Sequence, residues 1–160
     1  MSSLGEIVAK IYLAYGSNLN HRQMADRCPH ARYLGNTMLK DWRLIFKSVA
    51  TIERELGKYV PVGIFQITNE CEEALDIYED YPHLYDKKEL DVILDGSQVK
   101  AMTYVMVGKY GIAPPSKKYF NVISEGYKNC GLNFDYLLEA EEYSIQADSG
   151  KGYESTRWNR

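Results

Sequence analysis

The sequence lacks an excess of basic residues: 19 Lys and Arg stand against 22 Asp and Glu, for a net charge of −3. A surface for nucleic acid needs clustered cations, so nucleic acid is not an expected partner. Cysteine is scarce too. Cys28, Cys71 and Cys130 are far apart, odd in number and contain no C-x-x-C pair. Neither a disulfide framework nor a zinc site is expected, and free buried thiols in a reducing compartment are the simplest reading. No H-E-x-x-H or similar spacing points to a catalytic metal. No apolar run approaches the roughly 18 residues of a membrane span, so a membrane is not an expected partner either. The opening Met-Ser-Ser-Leu-Gly-Glu has neither a basic start nor a long apolar stretch, so no signal peptide is expected and the expected location is cytoplasmic. With no internal repeat and no interdomain linker, the 160 residues read as one domain.

Nucleophile chemistry has little support. The three histidines, His21, His30 and His83, fall in polar or turn contexts, Ser17 has no evident base, and no G-x-S-x-G elbow occurs. Ser149-Gly150-Lys151-Gly152 lacks the Walker spacing and follows no strand, which argues against a phosphate loop.

Tyrosine is abundant: 14 residues, against 4 Phe. Its ring packs while its hydroxyl stays available, which suits the wall of a pocket for a polar ligand. Two of these tyrosines, Tyr12 and Tyr15, belong to Ile11–Leu19, IYLAYGSNL. The apolar run reads as a buried strand that breaks at Gly16-Ser17-Asn18 into a tight turn, with Asn18 or Asn20 capping a helix over 20–28. Free backbone N–H groups at such a junction can receive an anionic group.

Further along, 31–49 suggests two extended stretches, 50–58 is either a short helix or a loop, and Tyr59–Thr68 is a strand with an edge or bulge near Pro61 and Gly63. Asn69 is the expected N-cap of an amphipathic helix running to about Asp80. Strands over 87–95 and 98–107 flank an Asp95-Gly96 hairpin turn. Helical spacing returns from Tyr119 to Cys130, with Gly131 as C-cap, and again over Phe134–Tyr143. From Gln146 no apolar periodicity remains, so 146–160 reads as a flexible tail, with covering a pocket or contacting a partner as alternatives. The expected fold class is α+β: a small mixed, largely antiparallel β-barrel-like sheet with flanking helices.

Beyond Glu70 in its first turn, the 69–80 helix carries five acids, Glu72, Glu73, Asp76, Glu79 and Asp80. At 100° per residue, Glu73, Asp76 and Asp80 point away from the apolar face, while Glu79 lies on its border with Glu72 close behind. A border carboxylate is partly desolvated, so its pKa rises toward the range useful for proton transfer, and Glu79 is preferred over Glu72.

IYLAYGSNL, the helix end Leu75–Asp80 (LDIYED) and Pro114-Pro115-Ser116-Lys117-Lys118-Tyr119 occur in the order seen in the γ-glutamylcyclotransferase-like family, which the chain resembles over about residues 10–145. The resemblance rests on the Y-G-S-N loop, an L-D-x-x-E helix and a P-S-x-x-Y segment. It departs at Asp80-Tyr81-Pro82, where the family more often has Gly after the Glu. It implies a fold around a β-barrel, a domain over 1–145, and cyclisation of a γ-glutamyl amine or peptide to 5-oxoproline with release of the amine. Under it Glu79 is the general acid/base. Tyr15, Gly16, Ser17, Asn18 and Leu19 hold the γ-glutamyl part, and Tyr119, with Tyr85 as a weaker candidate, contacts substrate. No metal or cofactor is required. A small-molecule γ-glutamyl substrate is the expected partner. The leaving amine and the oligomeric state stay open, a homodimer being one option. The alternative is a non-catalytic small-anion-binding protein of the same fold.

Overall fold

The computed structural model describes residues 10–158. The expectation of no signal peptide falls on residues outside that range. β1 (Lys10–Ala14) ends in buried Tyr12, Leu13 and Ala14, then enters a 3-10 turn at Ser17–Leu19 and α1 (His21–Arg27). Of the two N-cap candidates Asn20 holds the position, its side chain accepting from the N–H groups of Arg22 and Gln23.

β2 (Arg32–Lys47) and β3 (Val49–Ile67) form one long antiparallel hairpin. Two expectations are corrected here. Residues 31–49 hold a single strand to Lys47, bent by register shifts near Gly35 and Asp41, and 50–58 is neither helix nor loop but part of β3. The shift opposite Asp41 falls in the exposed, charged stretch Glu53–Lys58, where no period-2 apolar pattern survives to be read. Pro61 lies just beyond Gly63, where the β1 ladder stops, so only β2 pairs with it.

α2 spans Asn69–Tyr78; its N-cap is Thr68 rather than Asn69, accepting from the Cys71 N–H. β4 (Tyr85–Leu94) and β5 (Ser97–Met106) turn at Asp95-Gly96, both with positive φ (52° and 80°). α3 (Lys117–Cys130) starts at Ser116 and stops at Gly131, φ 66°, and α4 spans Asp135–Gln146. The sheet order is β2-β3-β1-β5-β4, antiparallel except for β1 with β5. Both edge strands line one groove, so the sheet curls toward a barrel, as the sequence suggests.

One further correction concerns chemistry. Cys28 and Cys71 form a disulfide joining the end of α1 to the first turn of α2, and Cys130 alone is a free, buried thiol. Scattered cysteines gave no spacing signal because tertiary packing, not sequence distance, brings the pair together. The described residues 147–158, within the expected tail, make contacts with the rest of the chain. Lys151 accepts from the Gly111 N–H at 2.9 Å, Tyr153 donates to the Lys47 carbonyl at 3.0 Å, and Trp158 is buried. Backbone pairing to the hairpin tip and one aromatic anchor hold this stretch, neither of which leaves a periodic pattern. No helix of the described residues is long and apolar enough to cross a membrane.

Candidate functional site

A cavity of about 350 Å³ opens where the turn after β1, the tip of the β2–β3 hairpin, the end of α2 and the segment after α4 meet. Seven of the tyrosines line it: Tyr12, Tyr15, Tyr78, Tyr85, Tyr104, Tyr119 and Tyr153. Half of the 14 tyrosines therefore serve one wall system, and the other half lie elsewhere, Tyr59 on an exposed stretch of β3.

The turn is pinned from two sides. Asn20 caps α1 and donates to the Val122 carbonyl of α3 at 3.1 Å. α3 approaches so closely at Gly126 that a Cβ there would lie 2.6 Å from the Asn20 nitrogen and 2.7 Å from Leu19. Ser17 bonds the Tyr78 hydroxyl at 2.8 Å, and Asn18 donates to the Tyr12 hydroxyl at 3.0 Å while its own buried Oδ1 is without a partner among the described residues. The N–H groups of Gly16, Ser17 and Asn18 enter no hydrogen bond among the described residues, as expected for the first donors of a helical turn. Tyr15, Gly16, Ser17 and Asn18 line the cavity. Leu19 does not: it is fully buried beneath the turn, a packing residue rather than a contact surface.

Glu79 is the C-cap of α2, one residue past its last helical position. The Tyr81 N–H bonds the Asp76 carbonyl and the Asp80 N–H bonds the Ile77 carbonyl, a Schellman ending with Asp80 (φ 53°) in the left-handed position. That position explains the departure seen in the sequence. Gly occupies it without strain, and Asp is one of the few other residues that tolerates it. The chain then turns through a cis Tyr81–Pro82 bond to Leu84 and Tyr85, both on the cavity wall.

Glu79 keeps some accessible surface because it faces an open-mouthed cavity, yet its carboxyl lies deep among tyrosine rings. Desolvation pushes its pKa up to about 7, against the opposing pull of the Arg27 and Arg157 guanidiniums. Glu72, the other border acid, has a different environment. Lys10 at 2.5 Å and Lys87 at 2.7 Å both pair with it, and although burial pushes its pKa upward, these bonds bring it down overall. Asp76 does not point away as the helical wheel suggests: it accepts from the Tyr104 hydroxyl at 2.6 Å and pairs with Lys87 at 3.0 Å. Glu72 and Asp76 thus tie α2 to β4 and β5, whereas Glu79, which lines the cavity beside the exposed Asp80, has a carboxyl with no hydrogen bond among the described residues.

The two downstream tyrosines meet at one residue of the hairpin tip. The Ala50 N–H donates to the Tyr119 hydroxyl at 2.9 Å, and the Tyr85 hydroxyl donates to the Ala50 carbonyl at 2.5 Å. Tyr119 therefore keeps its proton for another acceptor, whereas the Tyr85 proton is already engaged. Burial, first, and the nearby Glu79 among other groups hold both phenols well above their ordinary pKa, so they stay neutral donors.

Several lining residues carried no sequence signal. Tyr12, Tyr78 and Tyr104 look like strand or helix core, and the segment after α4 adds Tyr153, Ser155, Thr156, Arg157 and Trp158. Arg27 sits behind the wall, its guanidinium carbon 3.6 Å from the Tyr78 ring centroid, and Arg157 lies 4.2 Å from the same centroid. His30 and His83 are exposed, and His21 packs against Tyr33 and Cys130, so none of them supplies Ser17 with a base. Among the described residues no group of three His, Cys, Asp or Glu could hold a metal ion.

A family model described as gamma-glutamyl cyclotransferase, AIG2-like, matches residues 12–127. The Homo sapiens protein named Gamma-glutamylcyclotransferase is 29% identical over 153 residues, covering 84% of this chain and 81% of that protein. The Bos taurus protein of the same name is 28% identical over 156 residues, covering 89% and 81%. A solved structure named gamma-glutamyl cyclotransferase superposes with a TM-score of 0.72 at 25% identity, covering 93% of this chain and 92% of that one.

Proposed function

The chain belongs to the gamma-glutamyl cyclotransferase, AIG2-like family and is an enzyme of that family, and from this premise we propose that it converts a γ-glutamyl amine or peptide to 5-oxoproline and the free amine. The observation that supports the reading best is the buried Glu79 carboxyl in a tyrosine-lined cavity, with a pKa raised to about 7.

The substrate's own α-amine is the nucleophile. It forms a bond to the γ-carbonyl carbon, and the bond from that carbon to the leaving nitrogen breaks. Folding the γ-glutamyl chain back on itself in the cavity supplies proximity. The α-ammonium must first lose a proton. Glu79 near neutrality is balanced between its two forms, so it takes that proton and later delivers it to the departing amine. The free N–H groups of Gly16, Ser17 and Asn18 suit the glutamyl carboxylate or the oxyanion that forms during attack, and Tyr119 is the hydroxyl with a proton to offer. In this role Tyr85 orients the hairpin tip rather than donating to substrate. The chemistry requires no metal and no cofactor.

Screening γ-glutamyl amino acids and γ-glutamyl amines for 5-oxoproline release tests the proposal. Turnover of at least one class supports it. Ligand-dependent thermal stabilisation without product, even after long incubation, would favour the small-anion-binding alternative. A domain over 1–145 needs extension under this reading, since Tyr153–Trp158 complete the wall. The cytoplasmic location expected from the sequence stands as a proposal, and the Cys28–Cys71 pair removes its thiol argument.

A further inference from the structure

Three charged side chains line the cavity: Glu79, Asp80 and Arg157. Arg157 is the single cation among them, it lies outside residues 12–127 matched by the family model, and the proton-transfer scheme makes no use of it. Its placement is fixed. The guanidinium carbon is 4.2 Å from the Tyr78 ring centroid, and Nη1 donates to the Tyr78 carbonyl at 3.4 Å. Next to it Trp158 is buried, 5.0 Å from the Tyr119 ring, with its N–H on Ser155 Oγ at 3.2 Å.

Arg157 nevertheless remains exposed and has no carboxylate partner among the described residues. An anchored guanidinium with uncommitted donors at the mouth of a cavity is suited to a planar carboxylate. Arg27 cannot do this work. Its Nη2 is engaged by Gln23 at 2.7 Å, its Nη1 is buried, and it does not line the cavity.

We propose that Arg157 is a specificity-determining residue that binds a carboxylate carried by the leaving amine, so that γ-glutamyl amino acids are preferred over γ-glutamyl amines. The inference rests on the γ-glutamyl reading and assigns the released half of the substrate. The glutamyl half has its own donors at the Gly16–Asn18 turn and its acid at Glu79. The rim cation is then left for the half that departs.

The test compares γ-glutamylalanine with γ-glutamylethylamine, which differ only in that carboxylate. The expected kcat/KM of the unaltered protein is at least about tenfold higher for γ-glutamylalanine, consistent with a charge-assisted hydrogen bond. Arg157→Gln should abolish most of this ratio, chiefly through KM, and Arg157→Lys should restore part of it. Because Glu79 serves both substrates, any effect of Arg157 on its protonation cancels in the ratio, as does a purely structural loss. An unchanged ratio in Arg157→Gln, or no preference in the unaltered protein, overturns the proposal. Should neither compound be turned over, the cyclisation reading fails, and calorimetric binding of γ-glutamylalanine still decides the role of Arg157. In a Glu79→Gln background, addition of Arg157→Gln should weaken that binding about tenfold, and an unaltered Kd, or no binding in either, overturns it.

Discussion

At the scale of single residues, the proposed chemistry rests on one acid whose environment differs from that of its neighbours. Glu79 has a pKa raised to about 7 from an ordinary 4.5, by desolvation first and against two guanidiniums. If it is the base, kcat/KM should rise with pH along an acid limb with an apparent pKa near 7. Arg27→Gln removes one of the cations that hold this pKa down and should move the limb upward by roughly one pH unit. An acid limb that stays in place in that variant would separate Arg27 from the acid. The same shift has a stability consequence. The folded protein holds the Glu79 proton more tightly than the unfolded chain does, so this contribution is fully present below about pH 4.5 and is lost as pH rises through about 7. Glu79→Gln should therefore match the parent near pH 4 and exceed it at pH 8 by on the order of 1–3 kcal/mol in urea melts. The sequence made Glu79 and Glu72 legible as border acids because both lie on one flank of a helical wheel. It could not separate them by environment, because the lysines that occupy Glu72 come from β1 and β4.

At the scale of elements, ends and contacts were harder to read than existence. Helix caps such as Asn20 and Gly131 are local, and the sequence carried them; the single long β3 was hidden because its register shift falls in charged, exposed residues. The close approach of α3 to the turn was equally hidden, since a lone glycine in a helical pattern does not reveal what lies against it. Gly126→Ala should push α3 off the Leu19–Asn20 backbone, lowering stability by about 2–4 kcal/mol and lowering activity by displacing the turn. By contrast, Asp80→Gly should be neutral or stabilising by up to about 1 kcal/mol, because it relieves a left-handed non-glycine at the α2 ending. Thermal melts of both variants check the two signs. The link between α1 and α2 has its own test: thiol titration of the unfolded protein without reductant should give one reactive thiol, from Cys130, and three would contradict the Cys28–Cys71 pair.

At the scale of the whole molecule, the cavity is assembled from segments distant in the chain, and its last wall comes from residues that read as a tail. Composition gave part of this away, since the tyrosine excess anticipated a polar-lined pocket. What it could not give is that Trp158 returns to pack on Tyr119, a contact across 39 positions with no periodic signature. Trp158→Ala should open this wall, lowering stability by about 2–4 kcal/mol and raising KM more than it lowers kcat. One desolvated acid and a turn with free N–H donors line the same cavity, and the proposed cyclisation uses both. The most direct measurement is therefore 5-oxoproline release by Glu79→Gln beside Glu72→Gln, on whichever γ-glutamyl substrate the parent turns over. The expected result is a loss of kcat of about a thousandfold or more for Glu79→Gln with an intact fold, and near-parent kcat for Glu72→Gln. Parent-level activity in Glu79→Gln would contradict the assignment of the acid at the centre of the site.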